Sequence, residues 1–222
     1  MLVRDRMSVP AVTISPETPF QDALKLMRDS RFRRLPVVGK TGKLVGIVSE
    51  RDLLYASPSS ATSLSVWEVT YLLSKIQVGR LMTTDVITTT PDTPLEDAAY
   101  LMAENRIGGL PVVDAQSRVA GVITETDVFK SFVEMLAGGC AGLRLTLGVP
   151  ERKGVLLELC KAIFEQGGTV VSVGSFHSEA SDEQGLVVKV RDVDEDQLVG
   201  TLEGLGDHVV DARIVAEASL SS

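Results

Sequence analysis

The chain has 222 residues, 44% of them hydrophobic and 23% charged, with a formal net charge of −8. That composition is ordinary for a folded protein and excludes extensive disorder, and the acidic balance argues against a nucleic-acid binder, which normally displays a basic surface. No run approaches the ~18 apolar residues of a membrane span, and the opening MLVRDRMSVP carries charges where a signal peptide would place its apolar core. A cytoplasmic protein with no nucleic-acid and no membrane partner is expected.

The charge is unevenly spread. Residues 1–56 carry ten Lys/Arg against six Asp/Glu, residues 82–136 three against nine, and residues 140–222 seven against fourteen. The first and second of these segments are copies of each other: laid over 82–129 without a gap, residues 7–54 give 17 identities in 48 positions. Internal duplication is the economical explanation.

In chain order, each copy opens with a predicted strand (Ala11–Ser15; Val86–Thr90) and a Pro-containing turn. Thr18-Pro19-Phe20-Gln21 and Thr93-Pro94-Leu95-Glu96 then predict helix starts, with Thr at N-cap, Pro at N1 and Gln or Glu at N3. Phe20, Ala23, Leu24 and Met27, like Leu95, Ala98, Ala99 and Met102, recur at helical spacing and form the expected buried face. LPVV at Leu35–Val38 and Leu110–Val113, then KLVGIVS and RVAGVIT, read as pairs of buried strands joined by short polar turns. Gly39-Lys40-Thr41 is no phosphate loop, because Arg34 stands where that motif needs Gly.

Each copy ends in Ser49-x-x-Asp52 or Thr124-x-x-Asp127. One reading is a helix capping box, in which the hydroxyl takes the N3 amide and the carboxylate reaches back. The other is a ligand site, and both stay open. A helix start with free N–H groups and a hydroxyl suits a phosphate, so the two are compatible at Ser49 and Thr124 and compete at Asp52 and Asp127. The copies also differ: Arg33, Arg34 and Arg51 in the first become Gly108, Gly109 and Thr126 in the second. The arginines read either as a solvated face or as a phosphate clamp, and the Gly pair lets a flat base approach the backbone.

Residues 57–81 begin as a Ser/Pro connection and continue as an amphipathic helix, with Val66, Val69, Leu73 and Ile76 at helical spacing beside Trp67 and Tyr71. After Ala137-Gly138-Gly139, a candidate hinge, the pattern changes. Strand Leu143–Val149, helix Val155–Gln166 (face Val155, Leu156, Leu159, Cys160, Ile163), strands Thr169–His177 and Gly185–Val190, helix Asp194–Leu205 and strand His208–Val215 give βαββαβ, a ferredoxin-like sandwich. Cys140 and Cys160 lack metal or redox spacing and read as buried thiols, and His177 and His208 as isolated strand imidazoles. No metal site and no catalytic set stands out.

The duplicated unit with LPVV before G-h-[ST]-x-x-D (h apolar) resembles a tandem pair of CBS domains, the Bateman module. The βαββαβ third with Gly154 closing its first strand-helix loop resembles an ACT domain. The combination, with a helix between the repeats, is similar to acetoin-utilisation AcuB-type proteins. The fold class expected is therefore α/β (α+β), with CBS repeats at 1–56 and 82–136, a linker at 57–81 and an ACT-like domain at 140–222.

The resemblance implies two clefts that take an adenine nucleotide (AMP, ADP, ATP or a related adenosyl compound) as regulatory ligand. Asp52 and Asp127 would accept the ribose hydroxyls, which an acceptor-only side chain does well. Thr13, Arg33, Arg34, Ser49, Arg51, Thr88, Gly108, Gly109 and Thr124 complete the expected set. It further implies a homodimer, a partner enzyme or regulator, and a second small ligand such as an amino acid at Lys153 and Gly154. Many ligand-binding ACT domains have Pro where Lys153 stands, so a purely dimerising domain is the alternative. Two rival functions stay in view: an assembly scaffold with empty clefts, and an enzyme.

Overall fold

The structure, a computed structural model, describes residues 1–56, 76–150, 152–177 and 184–217. The amphipathic segment around Val66, Trp67, Val69, Tyr71 and Leu73 lies outside them, as does Glu151. The chain divides into two compact units, Met1–Val128 and Phe129–Ser222. The helix Glu125–Met135 is continuous across that division.

In the first unit each repeat holds a helix (Phe20–Ser30; Leu95–Asn105) over an antiparallel hairpin. The hairpins are β1 (Arg34–Val38) with β2 (Leu44–Ser49), and β3 (Gly109–Val113) with β4 (Val119–Thr124). Phe20, Ala23 and Met27 of the first helix, and Leu95, Ala98 and Met102 of the second, are buried as their spacing requires. The matched Arg31 and Arg106 end these helices in the left-handed region, φ 56° and 52°. The following amides, of Phe32 and Ile107, donate back to the carbonyls of Met27 and Met102.

Two local expectations change. The strands predicted at Ala11–Ser15 and Val86–Thr90 shrink to single parallel bridges, Ile14 with Val37 and Thr89 with Val112. Pro16 and Pro91 follow closely and cannot donate to a ladder. Thr18 and Thr93 are not N-caps: the caps are Pro19 and Pro94, with no side-chain cap bond. The threonine hydroxyls instead accept from the amides of Ser15 (3.1 Å) and Thr90 (3.2 Å), closing the turn before each helix.

The repeats exchange their leading segments. Val3, on a 3-10 turn at Val3–Asp5, is fully buried in the core of the second repeat with Leu95, Leu110 and Ile123. Val78, 75 residues on, closes the core of the first with Phe20, Leu35 and Val48. Backbone bonds follow the same pattern, Val3 N to Thr93 O and Val78 N to Thr18 O. Ser8 bridges Val122, and Thr83 bridges Ile47.

Gly46 and Gly121 of the repeated G-h-[ST] motif make this approach possible. A Cβ on Gly46 would stand 2.5 Å from Met82 Sδ, and one on Gly121 2.9 Å from Ser8 O. The first expected domain thus supplies a core residue to the second, and the expected linker supplies one to the first.

The second unit is a four-stranded antiparallel sheet in the order β6 (Thr169–His177), β7 (Gln184–Arg191), β5 (Gly142–Val149), β8 (His208–Val215). Helices Val155–Glu165 and Glu195–Gly204 share one core with it, built on Leu145, Leu147, Leu159, Ile163, Leu198 and Leu202. This is the βαββαβ sandwich expected, and a four-stranded sheet of this kind is consistent with an ACT-like domain. Asp194 caps its helix by accepting from Gln197 N at 2.9 Å.

Lys189 is buried on the sheet, its ammonium donating to the carbonyls of Ala137 (2.7 Å) and Cys140 (3.1 Å). Leu156, expected on the buried face, is 50% exposed, and Ala162 takes its place against the sheet. Cys140 is exposed rather than buried, and Cys160 is half-buried. Among the described residues no helix is long and apolar enough to cross a membrane.

Candidate functional site

The strand-to-helix junction of the first repeat forms the capping box in full. Ser49 N donates to Asp52 Oδ2 at 2.8 Å, Ser49 Oγ donates to the same oxygen at 2.7 Å, and Asp52 N donates to Ser49 Oγ at 3.2 Å. All of these carboxylate bonds fall on Oδ2, which leaves Oδ1 as an acceptor that the cap does not use. In the second repeat Thr124 N and Oγ1 donate to Asp127 Oδ2 at 2.9 and 2.6 Å. In both repeats the capping bonds thus fall on one carboxylate oxygen, Asp52 Oδ2 and Asp127 Oδ2.

Beside the Ser49 junction lies a cleft of ≈190 Å³ lined by residues of both repeats. The first contributes Arg34, Ile47, Ser49 and Asp52. The second contributes Thr83, Asp85, Val86, Ile87, Ile107 and Gly109. The strand pairing explains the meeting. Arg34 is the cross-strand partner of Ser49, while Ile47 on the same strand bridges Thr83 on its other edge.

Of the residues singled out in the sequence, the cleft gathers Arg34, Ser49, Asp52 and Gly109. Arg33 and Arg51 are exposed and do not line it, so the three arginines do not converge there as a clamp. Gly108 is buried where a Cβ would stand 3.1 Å from Arg34 Nη1 and 2.7 Å from Glu125 Oε2. The space beside the Gly108 backbone thus holds the Arg34 guanidinium and the Glu125 carboxylate. Thr13 and Thr88 are half-buried outside the cleft, next to the bridging Ile14 and Thr89. Thr124 and Asp127 occupy the matched junction of the second repeat.

Sequence reasoning passed over Ile47, Thr83, Asp85, Val86, Ile87 and Ile107. A signal was present: Val12 and Phe32, the counterparts of Ile87 and Ile107, are apolar at matched positions yet 38% and 39% exposed. Ile87 and Ile107 pack partly against the second repeat's core as well as lining the cleft, so the apolar pattern alone did not separate cleft from core.

In the second unit, Lys153 and Gly154 (φ 92°) form the turn into helix Val155–Glu165, with no atom near a Gly154 Cβ. Arg152 reaches across the turn to Glu158 through two bonds of 2.9 and 2.5 Å, which hold the Glu158 carboxyl below its ordinary range. Asp207 is buried nearby, and its Oδ1 finds no hydrogen-bond partner among the described residues. Burial raises its pKa, opposed by Arg152 and assisted by Glu158. Among the described residues no cluster of three His, Cys, Asp or Glu could hold a metal ion.

Residues 3–59 and 78–134 match the CBS domain. The solved structure of CBSX2 in complex with AMP is 32% identical, covers 60% of this chain and 97% of its own, and superposes with a TM-score of 0.52. The CBS domain pair of protein MJ0100, in complex with 5'-methylthioadenosine and S-adenosyl-L-methionine, is 30% identical, covers 60% and 97%, and gives 0.51. A protein from Vibrio cholerae assigned to acetoin utilization (AcuB) is 32% identical, covers 62% and 93%, and gives 0.52.

Proposed function

We propose, on the premise that the chain belongs to the CBS domain family, that it is a regulatory protein whose repeat pair binds an adenosine-containing ligand. The observation that carries this reading is the cleft itself: Arg34, Ser49, Asp52 and Gly109 line one space, and the Asp52 oxygen left by the cap is an acceptor for ribose hydroxyls. The solved CBS pairs bound to AMP and to S-adenosyl-L-methionine support it. Such a ligand acts by favouring one packing of the repeats, and it shifts that equilibrium only by its differential affinity for the two states. Thermal denaturation with AMP or S-adenosyl-L-methionine tests the reading, since a ligand at 100 times its Kd adds about 2.7 kcal/mol. No shift with either would overturn it.

The C-terminal sheet is read as an ACT-like domain that joins two chains and takes a second small ligand beside Lys153 and Gly154. Leu156, Leu157 and Phe164 stand 50%, 73% and 78% exposed on its first helix, apolar area of the kind that assembly covers. They also favour a second reading, an assembly scaffold whose clefts stay empty. Sedimentation at micromolar concentration tests the dimer, and a lone 23.8 kDa species would remove it.

A further inference from the structure

Arg34 and Asp85 enter the cleft from opposite edges of β2, one on the strand paired to it and the other two residues beyond the Thr83 bridge. Among the described residues neither side chain makes a hydrogen bond or ion pair, with each other or with any neighbour. The cleft therefore presents one unspent cation and two carboxylates, Asp85 and Asp52, with a third, Glu125, close to Arg34 at Gly108.

We propose that Asp85 is a charge filter: the cleft takes an adenosine derivative with a single anionic group, seated on Arg34, and rejects free polyphosphates. The inference rests on the nucleotide reading above and narrows it. A guanidinium matches one phosphate or carboxylate through two parallel bonds. Further phosphates would lie in a cleft whose remaining charges are negative and whose apolar walls, Ile47, Ile87 and Ile107, weaken screening. Arg33 and Arg51, the cations that could have balanced them, point outside it. At the position matched to Asp85 the first repeat has Pro10, so the filter belongs to one side of the pair alone.

Calorimetry on the full chain with AMP and ATP, in EDTA so that no divalent ion masks the phosphates, tests this. Wild type is expected to bind AMP at least about tenfold more tightly than ATP, which is about 1.4 kcal/mol. Asp85→Asn, which keeps the shape and removes the charge, should narrow that ratio severalfold by strengthening ATP. Arg34→Ala should weaken AMP about tenfold or more. AMP binding with a ratio untouched by Asp85→Asn, or ATP binding as tightly as AMP to wild type, overturns the filter and leaves the nucleotide reading standing. Failure of AMP and ATP alike to bind removes the filter, and the reading beneath it falls as well only if S-adenosyl-L-methionine also fails to bind.

Discussion

The guanidinium of Arg34 lies against Gly108 of the other repeat, so close that a Cβ there would stand 3.1 Å from Nη1. The duplication thus carries an arginine in one copy and, in the other, the glycine that gives it room. Arg34 and its counterpart Gly109 both line the cleft, so the difference between the copies is used at one place, where they face each other.

Gly108→Ala should accordingly separate stability from binding. The new methyl meets only the ends of two flexible side chains, Arg34 Nη1 and Glu125 Oε2, so a loss of no more than about 1 kcal/mol is expected. Glu125 must swing aside and Arg34 yield by a few tenths of an ångström, so AMP affinity should fall severalfold. Urea denaturation and calorimetry on the same variant check both halves, and unchanged affinity would show that the ligand does not depend on the packing of Arg34 against Gly108.

Asp52→Ala removes the cap and the acceptor together. Loss of the cap should lower stability by about 0.5–2 kcal/mol, while AMP affinity drops further because ribose hydroxyls are left unpaired. A folded variant that binds AMP as wild type does would leave Asp52 with the capping role alone.

Two glycine substitutions should have opposite signs. Gly121→Ala drives a Cβ to 2.9 Å from the Ser8 carbonyl, where backbone must shift, and a loss of about 1–3 kcal/mol is expected. Gly200→Ala, inside helix Glu195–Gly204 with nothing within 4 Å, should gain about 0.5–1 kcal/mol. Denaturation midpoints of the pair measure how tightly the exchanged segments press on the first unit's hairpins.

Asp207 predicts an inverse pH dependence. Its folded pKa lies above the ordinary carboxylate value because burial opposes the charge. The folded state therefore holds the proton more tightly than the unfolded one, and stability from this group is lost as pH rises from the unfolded value through the raised folded one. Asp207→Asn should be more stable than wild type at neutral pH, with the gain shrinking as pH falls through the raised folded value and levelling off below the ordinary Asp range. Melting curves from pH 3.5 to 7.5 follow this, and a gain constant across the range would point to packing instead.

The sequence by itself determined everything that depends on neighbours along the chain. The 75-residue duplication, the LPVV hairpins, the capping box at Ser49 and Asp52 and the βαββαβ order of the last third all follow from short-range periodicity and turn chemistry. Even locally the margins were soft: Thr18 had two partners available, the helix amides and Ser15 N, and only the folded chain chose. The tertiary structure alone decided what crosses between repeats. Val3 buries itself under the second helix and Val78 under the first because Gly46 and Gly121 let a distant backbone press onto each hairpin, an approach that no local pattern encodes. The same crossing brought Asp85 and Gly109 to Arg34 and left Arg33 and Arg51 outside. A row of similar charges in sequence says nothing of which one faces a cavity: Arg33 precedes the strand, Arg34 opens it, and Arg51 stands on the helix Glu50–Tyr55.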